Sequence, residues 1–372
     1  MEIQNLKTPF GEFLSGKYEK SFAYKTIKDR LPVIITSIID NISQCKDSII
    51  TKYGSNCSEE LKQVIGQLSE LKSEMMTNKP LKFISSSENG KKDISKWNEC
   101  IKNQQFKNEN LSTWYNSVWL FSECYMYRRV AHIFLSTTTL LTYDYFEKQK
   151  HDNFTTSLET ISVLANYTMN VLNESENIVL DNAGYELFTD FCIAAFLIEN
   201  NFAKKIRFYV KSIPWFVSDV TERDLFWTID TMKNSNHKNL MKLGHRCSKY
   251  LEDNKWTVEI ESFWTEPYDF SQMKVESLPL YNKLSEAILI IFKGDLNYRK
   301  LMGDINWDYE TDLKTALRGF QPTNIVTLRT VKADLIVGVP HKKVNELFSK
   351  QENWMETGQY GLIHSYFVDH NL

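Results

Sequence analysis

The sequence predicts an α/β protein, a helical N-terminal domain packed on a mainly parallel sheet with helices on its faces. Three observations lead there. Apolar residues recur at helical spacing through the first part of the chain, and no acceptable strand occurs before Ile178. From there, short apolar runs alternate with amphipathic stretches, the pattern of parallel strands joined by helices. No internal repeat or low-complexity tract points to another architecture. The expected division is 1–175 for the helical domain and 176–372 for the α/β domain, which would carry the metal- and phosphate-binding groups.

The elements can be justified in order. "SFAYKTIKDRLPVIITSIIDNI" reads as a helix interrupted or kinked at Pro32. "SEELKQVIGQLSELKSEMM" places Leu61, Val64, Ile65, Leu68, Leu71 and Met75 on one helical face, with Ser58 as the N-cap. "TWYNSVWLFSECYMYRRVAHIFL" supplies another long apolar face, on which Arg128 and Arg129 suit anchoring by hydrogen bonds. The expected strand runs are "NIVLD", "KIRFYV" with "PWFVSDV", "AILIIFKGD", and "NIVTLRTV" with "ADLIVGV". Between them, "ELFTDFCIAAFLIENN" and "TERDLFWTIDTMKNS" read as helices.

Composition narrows the function classes. The 372 residues are 42% hydrophobic and 24% charged, ordinary for a globular protein. With 44 basic and 47 acidic residues the formal net charge is −3, which argues against nucleic acid or an acidic membrane as partner. The N-terminus lacks the pattern of a signal peptide, and no apolar run is long enough to span a bilayer. Six scattered cysteines without a C-x-x-C pair read as reduced thiols, so the expected location is cytoplasmic, with the nucleus as a second compartment. His237 and His245 fall on or beside one helix without a metal role, and there is no P-loop, G-x-S-x-G elbow or zinc motif. Oligomeric state is left open.

In an open α/β sheet, ligands bind beyond the carboxyl ends of the strands, so the residues where each run stops carry the chemistry. The first run ends in Asp181-Asn182, the second in Ser218-Asp219, the third in Gly294-Asp295-Leu296-Asn297-Tyr298-Arg299, and the fourth carries Arg329 and Lys332. Each has a simpler reading as a turn, a helix cap or a solvated face, but four polar ends at one edge argue for a site. Asp181, Asn182 and Asp219 offer oxygen ligands only, the donor set of a hard cation. Two carboxylates and an amide would neutralise a divalent ion without repelling an incoming phosphate. Neighbouring strand residues point to opposite faces, so Asp181 and Asn182 can share a cation only if the strand ends between them, with Gly184 easing the turn.

At these residues the chain resembles a known family. "LDNAGYEL", "PWFVSDVT", "FKGDLNYRKLMGD" and "LRTVKAD", supported by "YEKSFAYKTIKDRLP", "ECYMYRR" and "ENWMETGQYGL", resemble the damage-control phosphatases of the third subfamily. These are metal-dependent carbohydrate-phosphate phosphatases, also described as acidic-residue methyltransferases. The resemblance implies a three-layer α/β/α domain with a Rossmann-like sheet. It also implies a divalent metal held by Asp181, Asn182 and Asp219, with manganese the first choice and cobalt, nickel or magnesium the alternatives. It places substrate contacts at those three residues and at Glu186, Asp295, Leu296, Asn297, Tyr298, Arg299 and Lys332. One departure stands out. The family pattern carries a Trp-Gly-Asn block and a following Asp before the metal strand, whereas "TISVLANYTMNVLNESENIVLDNAG" runs almost directly from a helical pattern into that strand.

The leading expectation is hydrolysis of a small sugar phosphate of the fructose 1-phosphate or fructose 6-phosphate type. Lys332, with Arg299, would balance the phosphoryl oxygens, and Asp295 and Asn297 would bond sugar hydroxyls. Asp219 is one candidate general base, and a covalent route through Asp181 is the alternative. Two other functions are weighed against it. S-adenosylmethionine-dependent methylation of protein carboxylates is poorly supported, because no strand runs into a glycine-rich turn. A binding protein without turnover would follow from loss of the missing block.

Overall fold

The computed structural model describes residues 3–85, 91–107, 112–164 and 176–368. Among those before Glu176, helices follow one another: Leu31–Gln44, Lys46–Tyr53, Cys57–Met76, Lys91–Lys107, Trp119–Leu135, Glu147–Thr156 and Leu158–Leu164. Pro32 does not break its helix. A π-helical turn, Thr26–Arg30, joins the short helix Phe22–Lys25 to Leu31–Gln44, so Pro32 falls in a first turn where its missing N–H costs nothing. The next long helix starts at Cys57 behind Asn56, which puts Ser58 inside the first turn rather than at the cap. Arg128 Nε donates to Asp93 Oδ2 (2.6 Å) and Arg129 Nη1 to the Tyr125 hydroxyl (2.6 Å), the anchoring expected of them.

The sheet has six strands: β1 (Glu176–Val179), β2 (Ile206–Val210), β3 (Trp256–Ile260), β4 (Leu289–Lys293), β5 (Asn324–Thr330) and β6 (Gly361–Tyr366). Their spatial order is β3-β2-β1-β4-β5-β6, all parallel except β6, which runs antiparallel to β5. This is the doubly wound order with its switch point between β1 and β4. Alternate residues of β1 enter different cores, as a pleated strand requires. Val179 packs with Phe292, Ile325 and the apolar faces of the N-terminal helices. Ile178 and Leu180 pack with the helices Tyr185–Glu199, Glu222–Lys233 and Lys238–Glu252 on the other side. The sheet is therefore covered on both faces, and the helical part shares one core with it.

Four expected strands form, and two expected apolar runs do not. Residues 214–220 make a turn in which Phe216 and Val217 take positive φ (+44° and +69°), so the run cannot extend. Its apolar side chains wedge into the helical part instead, Phe216 stacking on Tyr127 at 4.5 Å. Residues 333–339 are largely buried but form no ladder. Conversely, β3 and β6 were not anticipated. Both are edge strands, with mixed or alternating exposure rather than a continuous apolar run. The six cysteines are all free thiols. No helix among the described residues is long and apolar enough to cross a membrane.

Candidate active site

Strand register builds the site. Val179 pairs with Tyr209 on one side and Phe292 on the other, and Phe292 pairs with Thr327. Two residues further along each chain, Asp181, Lys211, Gly294 and Arg329 come level at the carboxyl edge. The cleft there has a volume of about 470 Å³, a size common for small-molecule sites. It lies at the switch point between β1 and β4.

Asp181 and Asn182 stand just past the end of β1, as a shared cation would require. Asn182 forms an antiparallel bridge with Asp219, and Val220 N donates to Asp181 O (2.8 Å), so the two segments are pinned together. Gly184 has φ +78°, and a Cβ there would stand 2.2 Å from Asn153 Oδ1, which accepts from Tyr185 N at the start of the next helix. Asp219 is not a helix cap. Thr221 takes that role with Asp224, whose Oδ2 accepts from Thr221 N (2.9 Å), and Asp219 is left facing the cleft.

The two carboxylates are 6% and 2% exposed. Burial, together with Asp219 and Glu186, pushes the Asp181 carboxyl well above its usual range. Burial likewise raises Asp219 to about 6, against the pull of Lys211. Asp219 Oδ2 lies 3.2 Å from Lys211 Nζ but has no hydrogen-bond partner. Asn182 Nδ2 donates to Asp181 Oδ2 (2.7 Å) and to Glu186 Oε2 (2.8 Å), while Ser218 Oγ donates to Asn182 Oδ1. Mutually repelling buried carboxylates and an orphaned acceptor fit a bound cation, which would relieve both. To ligate beside Asp181, the Asn182 amide presents Oδ1 there by a half-turn about its last bond. Among the described residues no cluster of three His, Cys, Asp or Glu side chains is placed to hold a metal, consistent with a set whose third donor is an amide.

The remaining expected residues divide into those lining the cleft and those behind it. Glu186, Asp295, Leu296, Arg299 and Lys332 line it. Asp295 Oδ1 accepts from Arg329 Nε (2.8 Å) and from Lys332 N (3.4 Å). Arg299 is committed to Glu123 (2.6 Å) and Asp304 (2.8 Å) and stacks over Trp119, its centre 3.5 Å from the ring. Asn297 is buried, its Nδ2 donating to Lys293 O (2.8 Å) and Leu180 O (3.3 Å), so it ties the end of β1 to the helix Gly294–Met302. Tyr298 is fully buried beneath the Arg329 guanidinium. Neither Asn297 nor Tyr298 is among the cleft-lining residues.

Several lining residues escaped the sequence reading. Arg30, Trp119 and Glu123 come from the helical part, Lys293 from β4, and Gly361 to Ile363 from β6. Arg30 sits on the π-helical turn and, like Lys332, makes no ion pair among the described residues. "YEKSFAYKTIKDRLP" and "ECYMYRR" carried Arg30 and Glu123 in the resemblance, but nothing in their spacing aims them at a sheet edge more than fifty residues away.

Comparison with known proteins agrees with this geometry. The Damage-control phosphatase ARMT1-like domain matches residues 26–178 and 172–347. "Damage-control phosphatase ARMT1" of Danio rerio is 33% identical over 444 residues, covering 98% of this chain and 98% of its own. The protein of that name from Homo sapiens is 34% identical over 436 residues, covering 94% and 97%. An alignment of 444 positions on a chain of 372 residues means that the relatives carry insertions this chain lacks. The domain match breaks at 172–178, where the sequence is shortened; residues 165–175 of that segment lie outside the described residues. The chain belongs to the ARMT1-like damage-control phosphatase family.

Proposed function

We propose that this chain is a metal-dependent phosphomonoesterase acting on a small sugar phosphate of the fructose 1-phosphate or fructose 6-phosphate type. The observation that carries the reading is the pinning of Asp181 and Asn182 against Asp219 at the switch point of a doubly wound sheet. In this reading Asp181, Asn182 and Asp219 hold a divalent cation, Mn²⁺ first, with Co²⁺, Ni²⁺ or Mg²⁺ as substitutes. Such an ion supplies Lewis-acid polarisation of a phosphoryl oxygen and lowers the pKa of an attacking water.

The chain's own residues do the rest. Lys332 and Arg30 are the cleft cations without carboxylate partners, so they are free to receive a phosphate. The helix Gly294–Met302 turns its N-terminus toward the same place and favours an anion there. Asp295, steadied by Arg329, and Glu186 offer acceptors for sugar hydroxyls. Asp219 is the carboxylate assigned to take the proton of the attacking water. Residues 1–175 form one wall of the cleft in this division, and 176–372 carry the cation and phosphate groups.

A screen of sugar phosphates with Mn²⁺, Co²⁺, Ni²⁺ and Mg²⁺ tests the reading. Phosphate release from a ketose phosphate with at least one of these ions is expected. Specific sugar-phosphate binding with no turnover under any of them would instead make the chain a binding member, the reading favoured by its shortened segment.

A further inference from the structure

Lys293, the last residue of β4, reaches the cleft with its side chain 10% exposed. Its ammonium donates to Asp190 Oδ1 (2.7 Å) and lies 3.1 Å from Glu186 Oε1. Glu186 and Asp190 are one turn apart on the helix Tyr185–Glu199, so the two carboxylates flank the ammonium from a single helix face. An ammonium carries three N–H donors, and two are accounted for here. The third has the cleft beside Asp181 and Gly294 as its open side.

Asp190 does not line the cleft. It is 1% exposed, and its Oδ2 is buried without a hydrogen-bond partner. A buried ion pair with an oxygen left unpaired is a poor device for stability, since an apolar pair of similar volume does as well or better. Lys293 also sits in a chain of contacts that ends at the cation ligands, Asp190 to Lys293 to Glu186 to Asn182 to Asp181. An arrangement that is costly for folding and aimed at the site is better explained by what it holds in place.

We infer that Lys293 is a catalytic residue, its third N–H donating to the phosphoryl group of the substrate, and that Asp190 is its positioning residue. This rests on the phosphatase reading above. The contact involves no proton transfer. Lys293 balances charge on a non-bridging oxygen while the bond from phosphorus to the sugar oxygen breaks, as a fixed donor does in electrostatic catalysis. Because Asp190 fixes the side chain beforehand, the donor needs no reorganisation when the substrate arrives.

The test compares wild type, Lys293→Met, Asp190→Asn and the double variant Lys293→Met/Asp190→Leu. Turnover of a fructose phosphate, calorimetric binding of inorganic phosphate to the Mn²⁺-loaded protein, Mn²⁺ binding alone and thermal melting are measured for each. Lys293→Met is expected to lose roughly 100-fold in kcat, the scale of one removed transition-state donor, with weakened phosphate binding and unchanged Mn²⁺ binding. Asp190→Asn is expected to lose about tenfold in kcat with little change in KM, as a misplaced donor should. The double variant, with both charges gone, should melt like wild type and still lack the activity.

Wild-type kcat and phosphate affinity in either a folded Lys293→Met or the double variant overturn the inference. So does loss of Mn²⁺ binding in Lys293→Met, which would place the effect at the cation. A wild-type protein that neither binds phosphate nor releases it overturns the phosphatase reading and this inference together. A wild type that binds phosphate without turnover removes only the former, and the phosphate affinities then decide the role of Lys293.

Discussion

Gly294 lies so close to Asp181 that a Cβ on the glycine would stand 1.8 Å from Asp181 Oδ2. Its φ of +82° is also one that side chains rarely adopt. The glycine lets the chain leave β4 directly beneath a cation ligand, with the helix Gly294–Met302 starting there. Gly294→Ala is therefore expected to destabilise the fold by about 1–3 kcal/mol from backbone strain alone. It should also abolish Mn²⁺ binding, because Asp181 must move. Calorimetry and melting of the variant check both, and retention of wild-type Mn²⁺ affinity would show that Asp181 does not need this approach.

Arg30 is exposed, unpaired among the described residues and part of the cleft lining. Removing it should leave stability unchanged while weakening substrate capture. Arg30→Ala is expected to raise KM for a sugar phosphate about tenfold, the worth of one charge-assisted hydrogen bond, at little cost to kcat. Steady-state kinetics read the split, and a fall confined to kcat would contradict a binding role.

Arg329 holds Asp295 and, through its other nitrogens, the carbonyls of Ala333 and Leu335. It therefore ties the Lys332 loop to the Gly294 helix. Arg329→Met leaves Asp295 without its ion pair and two carbonyls without these donors, a loss of about 3 kcal/mol by the usual cost of breaking a buried pair. Denaturant unfolding measures it. The same variant should raise KM, since Lys332 loses its tether.

Stability should also fall with acid for a reason away from the cleft. Burial, with Arg128 and Arg129 nearby, lowers His132 from 6.5 to about 4. A depressed folded-state value means the unfolded chain binds the proton first. The contribution is complete above pH 6.5 and is lost as pH falls toward 4. Melting temperature between pH 7 and 4 should drop less steeply in His132→Phe than in wild type, with neutral-pH activity retained. Identical slopes would mean that His132 does not titrate this way.

Much of this was legible in sequence, for physical reasons that also mark where legibility stopped. β1, β2, β4 and β5 are buried on both faces and show as apolar runs. The edge strands β3 and β6 have only mixed burial and do not. Asp181, Asn182 and Asp219 could be anticipated because strand ends converge in any parallel sheet. The commitments of Arg299 to Glu123 and of Tyr298 to Arg329 could not, because long-range pairing leaves no periodic trace. Lys293 was hidden for another reason. It closes an apolar run, where a lysine reads as the polar end of a strand until the buried Asp190 behind it is seen.

The most direct measurement is phosphate release from fructose 1-phosphate by the purified protein with Mn²⁺, with excess chelator, and in Asp219→Ala. Release with Mn²⁺ that disappears in chelator and falls by more than about 100-fold in Asp219→Ala is the predicted result. Release that persists in chelator, or that is unchanged in Asp219→Ala, would contradict the assignment of Asp181, Asn182 and Asp219 as the centre of a metal-dependent phosphatase.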